Sequence, residues 1–315
     1  MIHRLSFRSF PIISNPHFQT ILGSTIPPGK SPPSEPWLVP LNDGDTLCCE
    51  VSTPSTWKSP QKTILLVHGL GGSHTSPYMI RMSRKLYETG HKVVRINLRG
   101  CGSGKGLAKR PYHAGKSDDV LQVIKALKKE NPDSPLMLIG FSLGGNIALK
   151  LAGEMGKNSE NLVHSTIAIC PPIDLRETIY LLSRPSNWIY HYSYLKDLQK
   201  YAYAMTGIKR INTIHDYDNL VTAPHWGYES VSEFYQKSSS CHFLPHINHP
   251  CYILFAADDP FISYRQALDK TLPSHIKICL TENGGHMGFL KWTGRKNLFF
   301  WLDELLLNWV NELNH

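Results

Sequence analysis

The chain has 315 residues, 41% of them hydrophobic, which is enough to fill one large core, and a single α/β domain of this size is ordinary. Its formal charge of +8 is spread along the chain. The longest basic cluster, Lys125 to Lys129, stands beside Glu130, so it reads as a solvated helix face and not as a nucleic-acid surface. No apolar run reaches the roughly 18 residues a membrane span needs; the best candidate, Leu298 to Val310, is interrupted by Asp303 and Glu304.

In chain order, residues 1–35 are Pro-rich and read as an irregular segment. Arg4 and Arg8 stand near the start, but Pro11 and polar residues break any signal-like apolar core, so no secretion signal is expected. Asn15-Pro-His-Phe-Gln-Thr-Ile-Leu22 lies in this segment, with no role legible in its chemistry; His17 reads as structural. Trp37 to Leu41 and Thr46 to Val51, around Asn42-Asp-Gly-Asp45, read as a hairpin forming an antiparallel edge. Lys62-Thr-Ile-Leu-Leu-Val67 is a β-branched apolar run, hence a buried strand, and it ends at the glycine-rich loop His68-Gly-Leu-Gly-Gly72. Ser76 to Gly90 is helical, with Pro77 in the first turn and Gly90 at the stop.

Lys92 to Leu98 is the next strand. The following Arg99-Gly-Cys-Gly-Ser-Gly-Lys-Gly106 fails as a phosphate loop: Arg99 stands where Gly is needed, and Gly106 where Ser or Thr is needed. Ser117 to Lys129 is an amphipathic helix whose Asp118 and Asp119 suit the N-terminal end of its dipole. Ser134 to Ile139 is an apolar strand, then comes Gly140-Phe-Ser-Leu-Gly144, then a helix from Gly145 to Gly153. A G-x-S-x-G turn between strand and helix is a nucleophile elbow. The serine backbone is strained there, and a Cβ at 140 or 144 would crowd the neighbouring chain.

Leu162 to Cys170 is a further strand, so alternating strands and helices imply a mostly parallel sheet. Residues 174–243 break the pattern with a helical, Tyr-rich stretch, read as a cap insertion over the carboxyl ends of the strands. Most of its aromatics are expected to form the insertion's own small core, some to line an acyl pocket. His242, His246 and His249 have helical ligand spacing, but Pro245 and Pro250 argue against the helix, so no metal is expected. The seven cysteines lack C-x-x-C spacing, which indicates neither zinc nor a disulfide framework and fits a reducing cytoplasm.

Cys251 to Ala257 is a strand running into Asp258-Asp-Pro260, where these folds keep the acid that orients a histidine. Asp259 fits the small-x-x-Asp-x-x-apolar turn formed with Ala256 and Ile262 and is preferred; Asp258 stays open as the acid, and the other aspartate is expected to cap the next helix. His275 to Leu280 is the last strand, and His286 follows on the loop Asn283-Gly-Gly-His-Met-Gly-Phe289. Leu298 to Asn314 reads as a closing amphipathic helix. The order Ser142, Asp259, His286 is that of a hydrolase triad, with Leu70 and Leu143 N–H as the candidate oxyanion donors.

Asn15-Pro-His-Phe-Gln-Thr20, His68-Gly-Leu-Gly-Gly72, Arg99-Gly-Cys-Gly-Ser103, Gly140-Phe-Ser-Leu-Gly-Gly-Asn146, Val221-Thr-Ala-Pro-His225, Ala257-Asp-Asp-Pro260 and Gly284-Gly-His-Met-Gly-Phe289 together span nearly the whole chain. In this combination the sequence resembles the YheT-like branch of the α/β-hydrolases, related to the ABHD-type membrane-associated lipases of eukaryotes. The resemblance implies a cofactor-free Ser-His-Asp hydrolase of carboxylic esters. It carries the triad onto Ser142, His286 and one of Asp258 and Asp259. The N-terminal membrane helix of the eukaryotic relatives is absent from this sequence, which therefore reads as a soluble bacterial member with small-molecule ester substrates rather than membrane lipids. Two other readings use the same residues: an acyltransferase that passes the acyl group from Ser142 to an alcohol, and an idle hydrolase-fold binding module. Acyl length, alcohol group and oligomeric state are not legible.

Overall fold

The structure, a computed structural model, describes residues 2–9, 14–159, 162–268, 271–292 and 298–313. Its centre is a nine-stranded sheet. In chain order the strands are β1 (Ile2–Arg4), β2 (Glu35–Pro40), β3 (Thr46–Ser52), β4 (Thr63–Val67), β5 (Lys92–Asn97), β6 (Leu136–Phe141), β7 (Ser165–Ile169), β8 (Cys251–Ala256) and β9 (Ile276–Thr281). They lie in the order β1-β9-β8-β7-β6-β4-β5-β3-β2. Six adjacent pairs are parallel, and the β2–β3 hairpin forms the antiparallel edge expected of it.

Parallel strands covered on both faces are mostly apolar, and every residue of β4, β5, β6, β7 and β8 is buried, Arg95 and Asn97 of β5 included. The pleat sorts their side chains. Ile64, Leu66, Met137 and Ile139 share one core with Met79 and Met82 of α2 (Pro77–Glu88). Leu65, Val67, Leu136 and Leu138 pack on the other face with Val120 and Val123 of α3 (Ser117–Glu130) and Ile147 of α4 (Leu143–Met155).

Two expectations need correction. Residues 1–35 are not irregular throughout: β1 pairs in parallel with β9 at the sheet edge, and Pro16–Thr25 forms the first helix, α1, called αN below. Asn15 caps αN, its side chain accepting from the N–H groups of His17 and Phe18. The closing helix starts at Trp301, not Leu298. Leu298–Phe300 pairs with Leu290–Trp292 as a small hairpin, and the helix runs Trp301–Glu312; Asn314 lies outside the described residues.

Between β7 and β8 the chain is helical: Leu175–Leu182, Trp188–Thr206, Ile214–Tyr217, a short π-helix at Asp218–Thr222, Ala223–His225 and Val231–Ser238. The loop after β5 is held by Arg99, whose side chain is 1% exposed. It makes a bidentate pair with Asp119 of α3 at 2.6 and 2.7 Å and a further bond to Asp45 of the edge hairpin at 2.6 Å. The failed phosphate loop is thus an internal ion-pair joint. No helix among the described residues is long and apolar enough to cross a membrane.

Candidate active site

Strand order reverses at β4, which lies between β5 and β6, and ligands in open α/β sheets bind at the carboxyl ends beside such a reversal. Two segments leave the sheet there side by side: β4 runs into His68-Gly-Leu-Gly-Gly72, and β6 into Ser142. Ser142 has φ 51° and ψ −121°, the strained conformation expected of the elbow. A Cβ at Gly140 would lie 2.2 Å from the Gly144 carbonyl oxygen, and one at Gly144 would lie 2.3 Å from that of Val67. Both glycines are therefore required by contact. Helix α4 begins at the next residue, with Gly145 and Asn146 N–H bonded to the Ser142 carbonyl.

His286 is carried to Ser142 by the loop after β9. Its Nε2 is 2.9 Å from Ser142 Oγ, and its Nδ1 is 2.8 Å from Asp259 Oδ2. With a carboxylate at Nδ1, the imidazole proton sits there, and Nε2 accepts from the serine hydroxyl. The Asp259 side chain is 1% exposed, and its Oδ1 accepts from Phe261 and Ile262 N–H, so both oxygens are fixed. Asp258 does not cap the next helix as expected. Its Oδ1 accepts from Gly285 N–H at 2.9 Å, steadying the histidine loop from below.

The resemblance drew attention to Asn15–Thr20, but residue reasoning gave this stretch no role. Thr20 Oγ1 accepts the His286 N–H at 2.8 Å, and Gln19 brackets Leu290, donating to its carbonyl and accepting its N–H. A Cβ on Gly288 would lie 2.4 Å from the Gln19 carbonyl oxygen. The glycines around His286 thus let the loop press against αN. His17 Nδ1 lies 3.0 Å from the Tyr190 hydroxyl on the long helix above the site.

The glycine loop is pinned on both sides of Leu70. Gly69 N–H donates to the Tyr78 hydroxyl at 2.9 Å and Gly71 N–H to the Tyr112 hydroxyl at 2.8 Å. His68 donates from Nδ1 to Gly69 O and accepts Leu98 N–H at Nε2; burial pushes its pKa down to about 4, so it stays neutral. A Cβ on Gly69 would lie 3.1 Å from Ser142 Cβ, so this backbone abuts the elbow. Among the described residues, neither Leu70 N–H nor Leu143 N–H has a hydrogen-bond acceptor.

A cleft beside Ser142 and His286 is lined by Gly69, Tyr78, Tyr190, Tyr194 and Met287. Among the helical segment's aromatics, Phe234 and Tyr235 line a second cavity that Leu143 also borders. Tyr190 and Tyr194 face the cleft at Ser142, Tyr217 packs with Val221 in the segment's own core, and Tyr180, Trp188, Tyr192 and Tyr203 are exposed. Among the described residues, the one close cluster of three side chains of metal-ligating type is Cys170, Asp259 and His286. Burial pushes the Cys170 thiol well up, which opposes thiolate ligation. His242, His246 and His249 do not form such a cluster, and His249 lies 2.8 Å from the Thr166 hydroxyl.

Known proteins resemble this chain in sequence and fold. A family model described as the alpha/beta hydrolase fold matches residues 62–185. The YheT protein of Escherichia coli (strain K12), provisionally named an esterase, is 28% identical over 285 residues, covering 86% of this chain and 82% of its own. An abhydrolase domain-containing protein of Dictyostelium discoideum is 29% identical over 318 residues, covering 94% of this chain and 78% of its own. Among solved structures, 2,6-dihydroxy-pseudo-oxynicotine hydrolase superposes with a TM-score of 0.63 at 17% identity, over 94% of this chain and 71% of that one.

Proposed function

We propose that this chain, a YheT-like α/β-hydrolase of esterase/lipase type, hydrolyses carboxylic esters through an acyl-enzyme on Ser142. The observation that carries the reading is the unbroken chain Ser142–His286–Asp259, with both links under 3 Å and the acid buried. His286 Nε2 takes the Ser142 proton as Oγ attacks the ester carbonyl. Asp259 keeps the imidazole in the required tautomer and stabilises the imidazolium. Leu70 and Leu143 N–H receive the oxyanion, a contribution of about 3 kcal/mol per donor. His286 then protonates the departing alcohol, and a water attacks the acyl-serine by the same steps in reverse. The reaction needs no cofactor. The helices between β7 and β8 act as a cap that keeps bulk water from the acyl-enzyme.

Hydrolysis of p-nitrophenyl esters of graded acyl length tests this. The wild type turns over a subset of the series, and Ser142→Ala falls to background with its fold intact by circular dichroism. Equal rates in wild type and variant contradict the proposal.

A further inference from the structure

The leaving alcohol must depart toward His286, which protonates it, so the acyl group extends to the other side of the oxyanion donors. A cavity beneath the helices shares Leu70 with the cleft at Ser142 and His286, and its wall also carries Leu143, the residue next to the nucleophile. Ile179, Leu198 and Phe234 make much of the rest of the wall apolar. The space between these walls is small and mostly apolar, which suits an alkyl chain.

The cavity also has a polar patch. Asp218, in the short π-helix, is partly buried on this wall, and desolvation pushes its pKa up to about 7. Thr222 donates to its Oδ1 at 2.9 Å and Tyr235 to its Oδ2 at 3.0 Å. A carboxylate accepts about four hydrogen bonds, so these two leave capacity on each oxygen. Two further groups on the wall have unused capacity. The Tyr217 residue is 4% exposed, and among the described residues its hydroxyl has no hydrogen-bond partner. Buried His113 accepts Gly115 N–H at Nδ1, which places its proton on Nε2, for which the described residues supply no acceptor. A carboxyl acceptor, a phenol and an imidazole N–H in one apolar chamber suit a ligand group that both donates and accepts. A neutral hydroxyl does both.

We propose that this cavity is the acyl subsite and that it selects medium-length acyl groups with a terminal hydroxyl, which donates to Asp218 and accepts from Tyr217. The assignment rests on the esterase reading above. It also explains why a carboxyl is kept in an apolar chamber: a site built to bond a hydroxyl discriminates against the analogue that lacks it.

The test compares p-nitrophenyl 6-hydroxyhexanoate and 8-hydroxyoctanoate with the unsubstituted hexanoate and octanoate, for wild type, Asp218→Asn and Tyr217→Phe. Fluorophosphonate labelling of Ser142 is read in parallel. Wild type is expected to favour a hydroxylated ester by at least about tenfold in kcat/KM. Both variants should lose most of that preference, mainly through KM, while turnover of the plain esters stays within a few-fold. If Ser142 labels but wild type shows no preference for either hydroxylated ester, or turns over none of the four, this assignment fails and the esterase reading stands. If the variants lower all four esters equally, Asp218 and Tyr217 only hold the short π-helix, and the assignment again fails. If Ser142 does not label, the esterase reading itself falls.

Discussion

At the scale of single residues, the two adjacent aspartates divide one task. Asp259 contacts the imidazole, whereas Asp258 contacts the backbone that carries it. Asp259→Asn removes the charge that sets the tautomer and should lower kcat by about 10⁴. Asp258→Asn keeps an oxygen for Gly285 N–H and should cost less than tenfold, whereas Asp258→Ala frees the loop and should cost up to about 10². Steady-state kinetics on one ester ranks the three. Asp218 supports a second prediction. Folding lifts its pKa from an ordinary 3.8 to about 7. Between those values the folded chain holds the proton that the unfolded chain has released, so this group's contribution to stability falls as pH rises and is least above 7. Thr222, Tyr235 and the Tyr217 ring face it, and none carries a positive charge to offset this. The stability of Asp218→Asn relative to wild type should therefore increase between pH 5 and pH 8, by at most about 2.6 kcal/mol. Urea melts at the two pH values measure the difference; a constant offset would contradict a partly buried, titrating carboxyl.

At the scale of elements, helix αN is the part of the site that local reasoning missed. The elbow, the acid turn and the histidine loop were legible because each has its own sequence signature at a strand end. Thr20 has none: its function is to accept an N–H from a residue 266 positions away, and only the folded loop shows this. The triple glycine pattern around His286 is a partial signal, since Gly285 and Gly288 both abut αN, but glycines in a loop do not name the element they press against. The closing helix was misplaced at its start for a related reason. Leu298-Phe299-Phe300 is apolar enough for either strand or helix, and pairing with Leu290–Trp292 decides it. Thr20→Val, which keeps shape but removes the acceptor, should destabilise by about 1–3 kcal/mol. It should also lower kcat more than it raises KM, whereas Thr20→Ser should retain both. Thermal melts with kinetics on the two variants check this; full activity in Thr20→Val would show that αN does not position His286.

At the scale of the molecule, the sheet reversal at β4 does the organising. It sets the glycine loop against the elbow, while β8 and β9 bring an acid and a histidine to the same end. The fold class was legible because apolar runs and amphipathic helices alternate so regularly; the partners of Arg99 were not, because Asp45 and Asp119 lie 54 and 20 residues from it. Arg99→Ala would remove the guanidinium between two buried carboxylates, leaving Asp119 only Lys116 at 3.8 Å and Asp45 its backbone donors, and should cost about 3 kcal/mol, measured by urea unfolding.

The central claim is that Ser142 is a nucleophile activated by His286. The direct measurement is intact-mass and peptide mapping after reaction with a fluorophosphonate. A single adduct on Ser142 in the wild type, lost in His286→Ala, is the expected result. Labelling that is absent, or that falls on another residue, would contradict the account.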